Sequence, residues 1–222
     1  GCTLRKTAPR ETTSAIAQGK AIAIFDKKGD QTMQHVPNAA YHGYHCRVFS
    51  PGKPYTCVVN PLDFMRDESD ATMAREIASV LNVNAKAGEA SKGDEFFTKA
   101  GEQVIQGILQ LAKSVENRER YGDRYWGCGD FVMAYAFLQL PEFVKRLDYA
   151  VTHNRINPFI ASSFTQLLSV KEAEKTISGI LGNASGLFSN LMQLDLLPSF
   201  MGKSTTSLQL GEKMMLVFEL DE

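Results

Sequence analysis

About 130 residues of helical periodicity lie between two short apolar runs of strand type, and this order restricts the chain more than any other feature. The first run is Ala21-Ile22-Ala23-Ile24-Phe25, which stops at Asp26-Lys27-Lys28-Gly29-Asp30. The last is Lys213 to Leu220, Lys-Met-Met-Leu-Val-Phe-Glu-Leu. A short, continuously apolar run with a polar stop is the pattern of a strand buried in a parallel sheet. Strands that need one another, separated by a long helical block, describe a helical domain inserted into an α/β domain. The fold class expected is therefore α+β, mostly α. The boundaries expected are 1–63 for the first α/β part, 64–197 for the helical insertion and 198–222 for the return strand.

Thr12 to Gln18 reads as the end of a helix, with Gly19 in the position where a left-handed residue closes the last turn. Cys46 to Phe49 is a second strand and Thr56 to Val59 a weaker third. Beyond Pro61 the period changes. Asp70 is placed to cap a helix carrying Met73, Ile77, Val80 and Leu81, and Asn82 to Gly93 reads as a polar loop. Asp94 opens a helix with Phe97, Ala100, Val104, Ile108, Leu111 and Val115 on one face. Arg118 to Gly129 reads as a charged, aromatic loop, and Phe131 to Leu140 as a helix. Pro141 and Asn157-Pro158 look like helix starts. Glu172 to about Leu194 forms the last helix, with Ile177, Ile180 and Leu187 expected to share a core with the Phe97–Leu111 face. Gly179, Gly182 and Gly186 interrupt that helix and suggest close packing.

Composition excludes some classes. The 222 residues are 44% hydrophobic and 22% charged, enough to build a core. Twenty-four basic residues face 25 acidic ones, so no global basic field exists and nucleic acid would have to meet a local patch. Cys2, Cys46, Cys57 and Cys128 form no Cys-x-x-Cys pair, which suggests a reducing, cytoplasmic compartment. No run of about 18 apolar residues is present, so no membrane-spanning helix is expected. The N-terminal stretch lacks the apolar core of a secretory signal. The abrupt ends suggest a piece of a longer protein.

Few motifs carry chemistry. Gly202-Lys203-Ser204-Thr205 resembles the end of a phosphate-binding loop, but Leu197 stands where the first glycine belongs and a strand follows. Gly1-Cys-Thr-Leu-Arg-Lys6-Thr7 is one residue short, with Arg5 before the lysine where the backbone must approach phosphate. Neither should bind ATP well. Lys6, Thr7, Asp26, Lys28 and Asp30 are the nucleotide-proximal candidates. His42-x-x-His45-Cys46 has no second ligand cluster nearby, so no metal is expected. Arg118, Arg120 and Arg124 interleave with Tyr121, Tyr125 and Trp126, a set able to hold phosphate and stack bases, although Glu116, Glu119 and Asp123 neutralise it. Lys145, Arg146 and Arg155 are a second basic set.

In order, four segments resemble the type IV secretion coupling proteins, the TraD/TraG-like conjugative DNA-transfer ATPases. They are Ile24-Phe-Asp-Lys-Lys-Gly-Asp30, then Val48-Phe49-Ser50 with Asn60-Pro61-Leu62, then Asp94-Glu-Phe-Phe-Thr-Lys-Ala100, and finally Glu174-Lys-Thr-Ile-Ser-Gly-Ile180. The resemblance implies an all-α domain inserted into a RecA-like P-loop motor domain. It implies a membrane-anchored hexamer at the cytoplasmic face of the bacterial inner membrane. That parent uses ATP and magnesium to drive DNA or protein transfer, while this segment needs no cofactor of its own and is not expected to hydrolyse ATP alone. The all-α domain would recognise DNA, relaxosome or effector cargo and work with other secretion-system subunits. Arg118, Arg120, Arg124, Tyr125, Trp126, Lys145, Arg146 and Arg155 are the cargo-contact candidates. The departures are the missing Walker A and the lack of a defensible Walker B before Asp221-Glu222. The alternatives are a degenerate nucleotide-binding regulatory domain using Lys6, Thr7 and Asp26, or a helical protein-interaction module that does not bind DNA.

Overall fold

A computed structural model of the chain describes residues 9–86, 95–189, 191–207 and 209–219. The fold is α+β, mostly helical, with a small parallel sheet. It divides into two compact units, residues 1–59 with 204–222 and residues 60–203.

The first is a sheet unit. Strand β1 (Ile22–Asp26), β2 (His45–Phe49) and β3 (Met214–Glu219) run parallel in the order β1-β3-β2. The strand most distant in sequence is therefore the central one. Val217 stands opposite Ile24 on one side and Val48 on the other. Helix α1 (Pro9–Ala17) precedes β1, and α2 (Asp30–Tyr41) makes the β1-to-β2 connection. One core holds Ile16, Ile22, Ile24, Ala39, Tyr44, Met215 and Val217. The Tyr44 hydroxyl, 2.9 Å from the Lys20 carbonyl, ties the α1–β1 turn to β2. Gly19 ends α1 as its sequence suggests. At φ 68° it lets Lys20 N–H reach the Ala15 carbonyl and its own N–H reach that of Ile16, the paired bonds of a Schellman turn.

Helix α2 departs from the sequence reading, which had no element there. Its buried residues are His35 and Ala39, and Pro37 stands inside it, so no apolar stripe marks it. Thr56–Val59 is not a strand: it makes single bonds, Cys57 N–H to Val48 O at 2.7 Å and Thr205 N–H to Val58 O at 3.0 Å, but no ladder.

The second unit is built around α4 (Glu95–Ser114), against which α3 (Ala71–Lys86), α6 (Phe131–Leu138) and α10 (Glu174–Ser189) pack. The remaining helices are α5 (Arg118–Tyr121), α7 (Phe143–Thr152), α8 (Pro158–Ser162) and α9 (Thr165–Ser169). Phe97, Val104, Ile108, Leu111, Ile177, Ile180 and Leu187 belong to one core, so the helix phases agree with the sequence. Two glycines permit close approach. A Cβ on Gly107 would lie 2.5 Å from the Phe164 ring, and one on Gly179 would lie 2.7 Å from the Phe97 ring.

Several boundaries differ. Helix α3 continues to Lys86 through the expected loop, because Asn82 is buried and its amide donates to Glu102 at 2.9 Å. Residues 87–94 lie outside the described residues. Pro141 does not begin α7, since Glu142 at φ 54° is left-handed and the helix starts at Phe143. The Asn157-Pro158 start yields two one-turn helices, and α5 is a single turn within the expected loop.

The two ends of the helical unit are fastened together. Asn60 Nδ2 donates to the carbonyls of Gly129 and Gly202, each at 2.9 Å. Asp130 caps α6 through Met133 N–H at 2.9 Å, while its other oxygen accepts from Gly202 N–H at 2.8 Å.

Candidate functional site

In the sheet unit, Asp26 ends β1 with its carboxylate buried. It accepts from Thr32 N–H at 2.7 Å, Thr32 Oγ1 at 3.0 Å and Lys28 N–H at 3.2 Å. Helix α2 begins at Asp30, so this carboxylate satisfies amides of its first turn and sits at the positive end of its dipole. Burial opposes the charge, but these hydrogen bonds outweigh it and hold the carboxyl below the usual aspartate value. Lys28 and Asp30 are exposed. Burial keeps His35 neutral more strongly than the Asp26 charge opposes it. Lys6 and Thr7 lie outside the described residues. No group of three His, Cys, Asp or Glu stands together as a metal site among the described residues.

In the helical unit, the loop after α4 is held by charge. Glu116 is buried; its Oε2 lies 3.0 Å from Lys113 Nζ and 2.8 Å from Lys203 Nζ, while Oε1 accepts from Gly127 N–H at 3.1 Å. Lys203 also pairs with Asp63 at 2.6 Å. Desolvation works against Glu116, yet the hydrogen bonds from Lys203 and Lys113 bring its pKa below the ordinary value. For Lys203, desolvation is likewise outweighed by Asp63 and Glu116, and its pKa rises. The lysine that resembled a phosphate ligand in the sequence is thus an internal ion-pair partner.

The Arg118 guanidinium lies 3.9 Å from the Trp126 ring centroid and 2.9 Å from Asp123, and the Lys203 ammonium lies 4.4 Å from the same ring. Arg124 sits 5.2 Å over Tyr125. Trp126 therefore has cations against it, and a stacking base would compete with them. An open cleft of about 530 Å³ beside it mixes Arg66 and Arg118 with Asp67, Glu68 and Glu119.

Arg120 belongs elsewhere. Its Nη2 donates to the Arg155 carbonyl at 3.0 Å, and Arg120, Arg146 and Arg155 are among the residues lining a cavity of about 250 Å³. The two basic sets of the sequence, from the α5 loop and from the α7 region, thus contribute to one place. The cavity floor is apolar: Leu111 of α4, Phe137 of α6, Phe143 and Leu147 of α7, and Ile160 of α8. Arg146 is steadied by its Nε bond to the Pro141 carbonyl at 2.8 Å. Lys145 is not part of the lining; it pairs with Glu142 at 2.6 Å on the surface.

No protein-family model, curated protein or solved structure matches this chain. No helix among the described residues is long and apolar enough to cross a membrane.

Asp63 and Lys113 were not among the residues singled out from sequence, and Leu111 of the cavity floor was read only as part of a helix's core face. A lysine three residues before Glu116 is common on solvated helix faces, so spacing alone does not mark a buried pair. The cavity residues carry no shared motif, because they are drawn from several helices far apart in sequence.

Proposed function

We propose that the chain is the substrate-recognition region of a type IV secretion coupling protein, an all-α domain with flanking strands of a RecA-like motor domain. The observation that carries this reading is topological. The helical unit leaves the chain after β2 and returns before β3, the central strand of a parallel sheet. A unit inserted there is tied at both ends to a motor's sheet, as cargo recognition coupled to ATP hydrolysis requires. The four motif segments, in their order along the chain, agree with it. On this reading the parent binds ATP and magnesium outside the residues described, works as a membrane-anchored hexamer, and delivers DNA or protein.

The test is replacement of residues 60–203 by a short Gly/Ser linker in the motor protein that carries them. ATP turnover is expected to persist while cargo delivery is lost. Delivery at the original level after the replacement would overturn the reading. DNA contact is examined separately, by titrating single-stranded DNA against the chain at several salt concentrations. With Arg118, Arg120 and Arg124 changed to alanine, the slope of log K against log[salt] should fall by about 0.7 for each lost phosphate contact on a single strand. An unchanged slope removes the α5 loop from the DNA site.

A further inference from the structure

We propose that the arginine-rimmed cavity of the helical unit binds an acidic peptide segment of a partner protein. One large apolar side chain of that segment enters the cavity, and the flanking carboxylates meet Arg120, Arg146 and Arg155. This rests on the cargo-recognition reading and supplies the chemistry by which a protein cargo is gripped.

Size argues first. At about 250 Å³ the cavity falls below the ~300–1,000 Å³ usual for small-molecule and cofactor sites, and suits a single side-chain anchor. The lining argues second. Leu111, Phe137, Phe143, Leu147 and Ile160 offer no hydrogen-bonding side-chain group. A leucine or phenylalanine side chain placed against them would exchange water for apolar atoms, while the polar lining residues Ser114, Asn117, Tyr121 and Asn157 remain for the peptide backbone. The rim argues third. The lining holds three arginines and one acidic residue, Glu68, whose Oε1 already accepts from Asn117 Nδ2 at 2.8 Å. None of the three arginines is in an ion pair among the described residues. Arg120 and Arg146 each spend one donor on a backbone carbonyl, at 3.0 Å and 2.8 Å. Those bonds orient the guanidiniums and leave the other donors of each fork for a carboxylate, the geometry that favours bidentate pairing. With the whole chain at a net charge of −1, the excess of positive charge here is local and selects a local anion.

The test uses the full 222-residue chain and three labelled octapeptides followed by fluorescence anisotropy. All have a central Leu-Phe; the flanks are Asp/Glu, Ser or Lys. The acid-flanked peptide is expected to bind saturably, the Ser-flanked one at least about ten-fold more weakly, and the Lys-flanked one not at all. Changing Arg146 and Arg155 together to alanine should weaken the acidic peptide by about ten-fold or more and flatten its salt dependence. Ala150 of α7 also lines the cavity, and Ala150→Leu, which would fill it, should weaken the peptide by a similar factor while the melting temperature holds or rises. Absence of saturable binding by the acidic peptide overturns the proposal, and so does binding that neither variant alters. Single-stranded DNA binding that Ala150→Leu abolishes would assign the cavity to nucleic acid and equally overturn it. If the peptide fails to bind yet replacing 60–203 abolishes delivery, cargo recognition stands and only the cavity assignment falls. If the peptide binds by these criteria while delivery survives that replacement, the cavity assignment holds and the secretion reading falls.

Discussion

Glu116 is the residue on which the loop after α4 depends. It separates two ammonium groups, Lys113 and Lys203, within 3.0 Å of each, in a site from which most water is excluded. Glu116→Gln would leave those cations facing each other with only Asp63 between them. Removing one partner from a buried pair typically costs about 3–5 kcal/mol, and the loss here should fall in that range. Acid titration separates this from a packing defect. The Glu116 carboxyl titrates below its unfolded value, so its stabilisation is fully present above that value, near pH 4.3, and is lost as pH falls through the lower folded one. The stability gap between the native chain and Glu116→Gln, measured by urea unfolding, should be constant around neutrality and shrink below about pH 4. A gap independent of pH would mean that the carboxylate's charge is not what matters. The sequence displayed Lys203 inside a phosphate-loop pattern, but its partners, Asp63 and Glu116, are 140 and 87 positions away and no local pattern announces them. Arg120, Arg146 and Arg155 were visible as two ambiguous basic sets; only the packing of α5 and α7 brings them to one rim.

Among the elements, α4 was the easiest to read and α2 the hardest, for opposite reasons. Helix α4 buries Ala100, Val104 and Ile108 at helical spacing, whereas α2 buries a histidine and an alanine. Helix α10 shows where sequence gives the residues but not their meaning. Its three glycines look alike, yet a Cβ at Gly179 meets the Phe97 ring at 2.7 Å while Gly182 and Gly186 have nothing within 4 Å. Gly182→Ala should therefore stabilise the unit by about 0.5–1 kcal/mol, through the smaller entropy of the unfolded chain and better helix propensity. Gly107→Ala on α4 should act in the opposite direction, by about 1–3 kcal/mol, because its Cβ would lie 2.5 Å from the fully buried Phe164 ring. Denaturant midpoints at unchanged m-value check both signs. A destabilising Gly182→Ala would show that this face of α10 is covered by something.

At the scale of the whole molecule, each unit closes on itself where the chain crosses between them. In the helical unit, Asn60 holds the Gly202 carbonyl and Lys203 holds Asp63, so first and last residues are joined by hydrogen bond and ion pair. In the sheet unit, Thr205 N–H bonds to Val58 O at 3.0 Å and Val58 N–H to Thr205 Oγ1 at 2.9 Å, so the ends that an excision would leave are already adjacent. The helical unit has its own core, extending from Leu62 to Phe188. Residues 60–203 expressed alone are therefore expected to unfold cooperatively, with one transition seen by circular dichroism and by Trp126 fluorescence. Asn60→Ala should weaken the excised unit and the intact chain alike, by about 1–3 kcal/mol, because it leaves the buried Gly129 carbonyl and the half-buried Gly202 carbonyl without that partner. The sheet unit offers a sharper test. Its core cluster holds seven buried residues among the described residues, and β3 must slot between β1 and β2 after the insertion is made. Joining Val59 to Ser204 through about two to four linker residues should suffice, since short connections of that length close adjacent ends. If the rejoined sheet unit folds, the insertion is a passenger in the α/β fold. If it stays unfolded while 60–203 folds, the helical unit is what holds β3 in its central place.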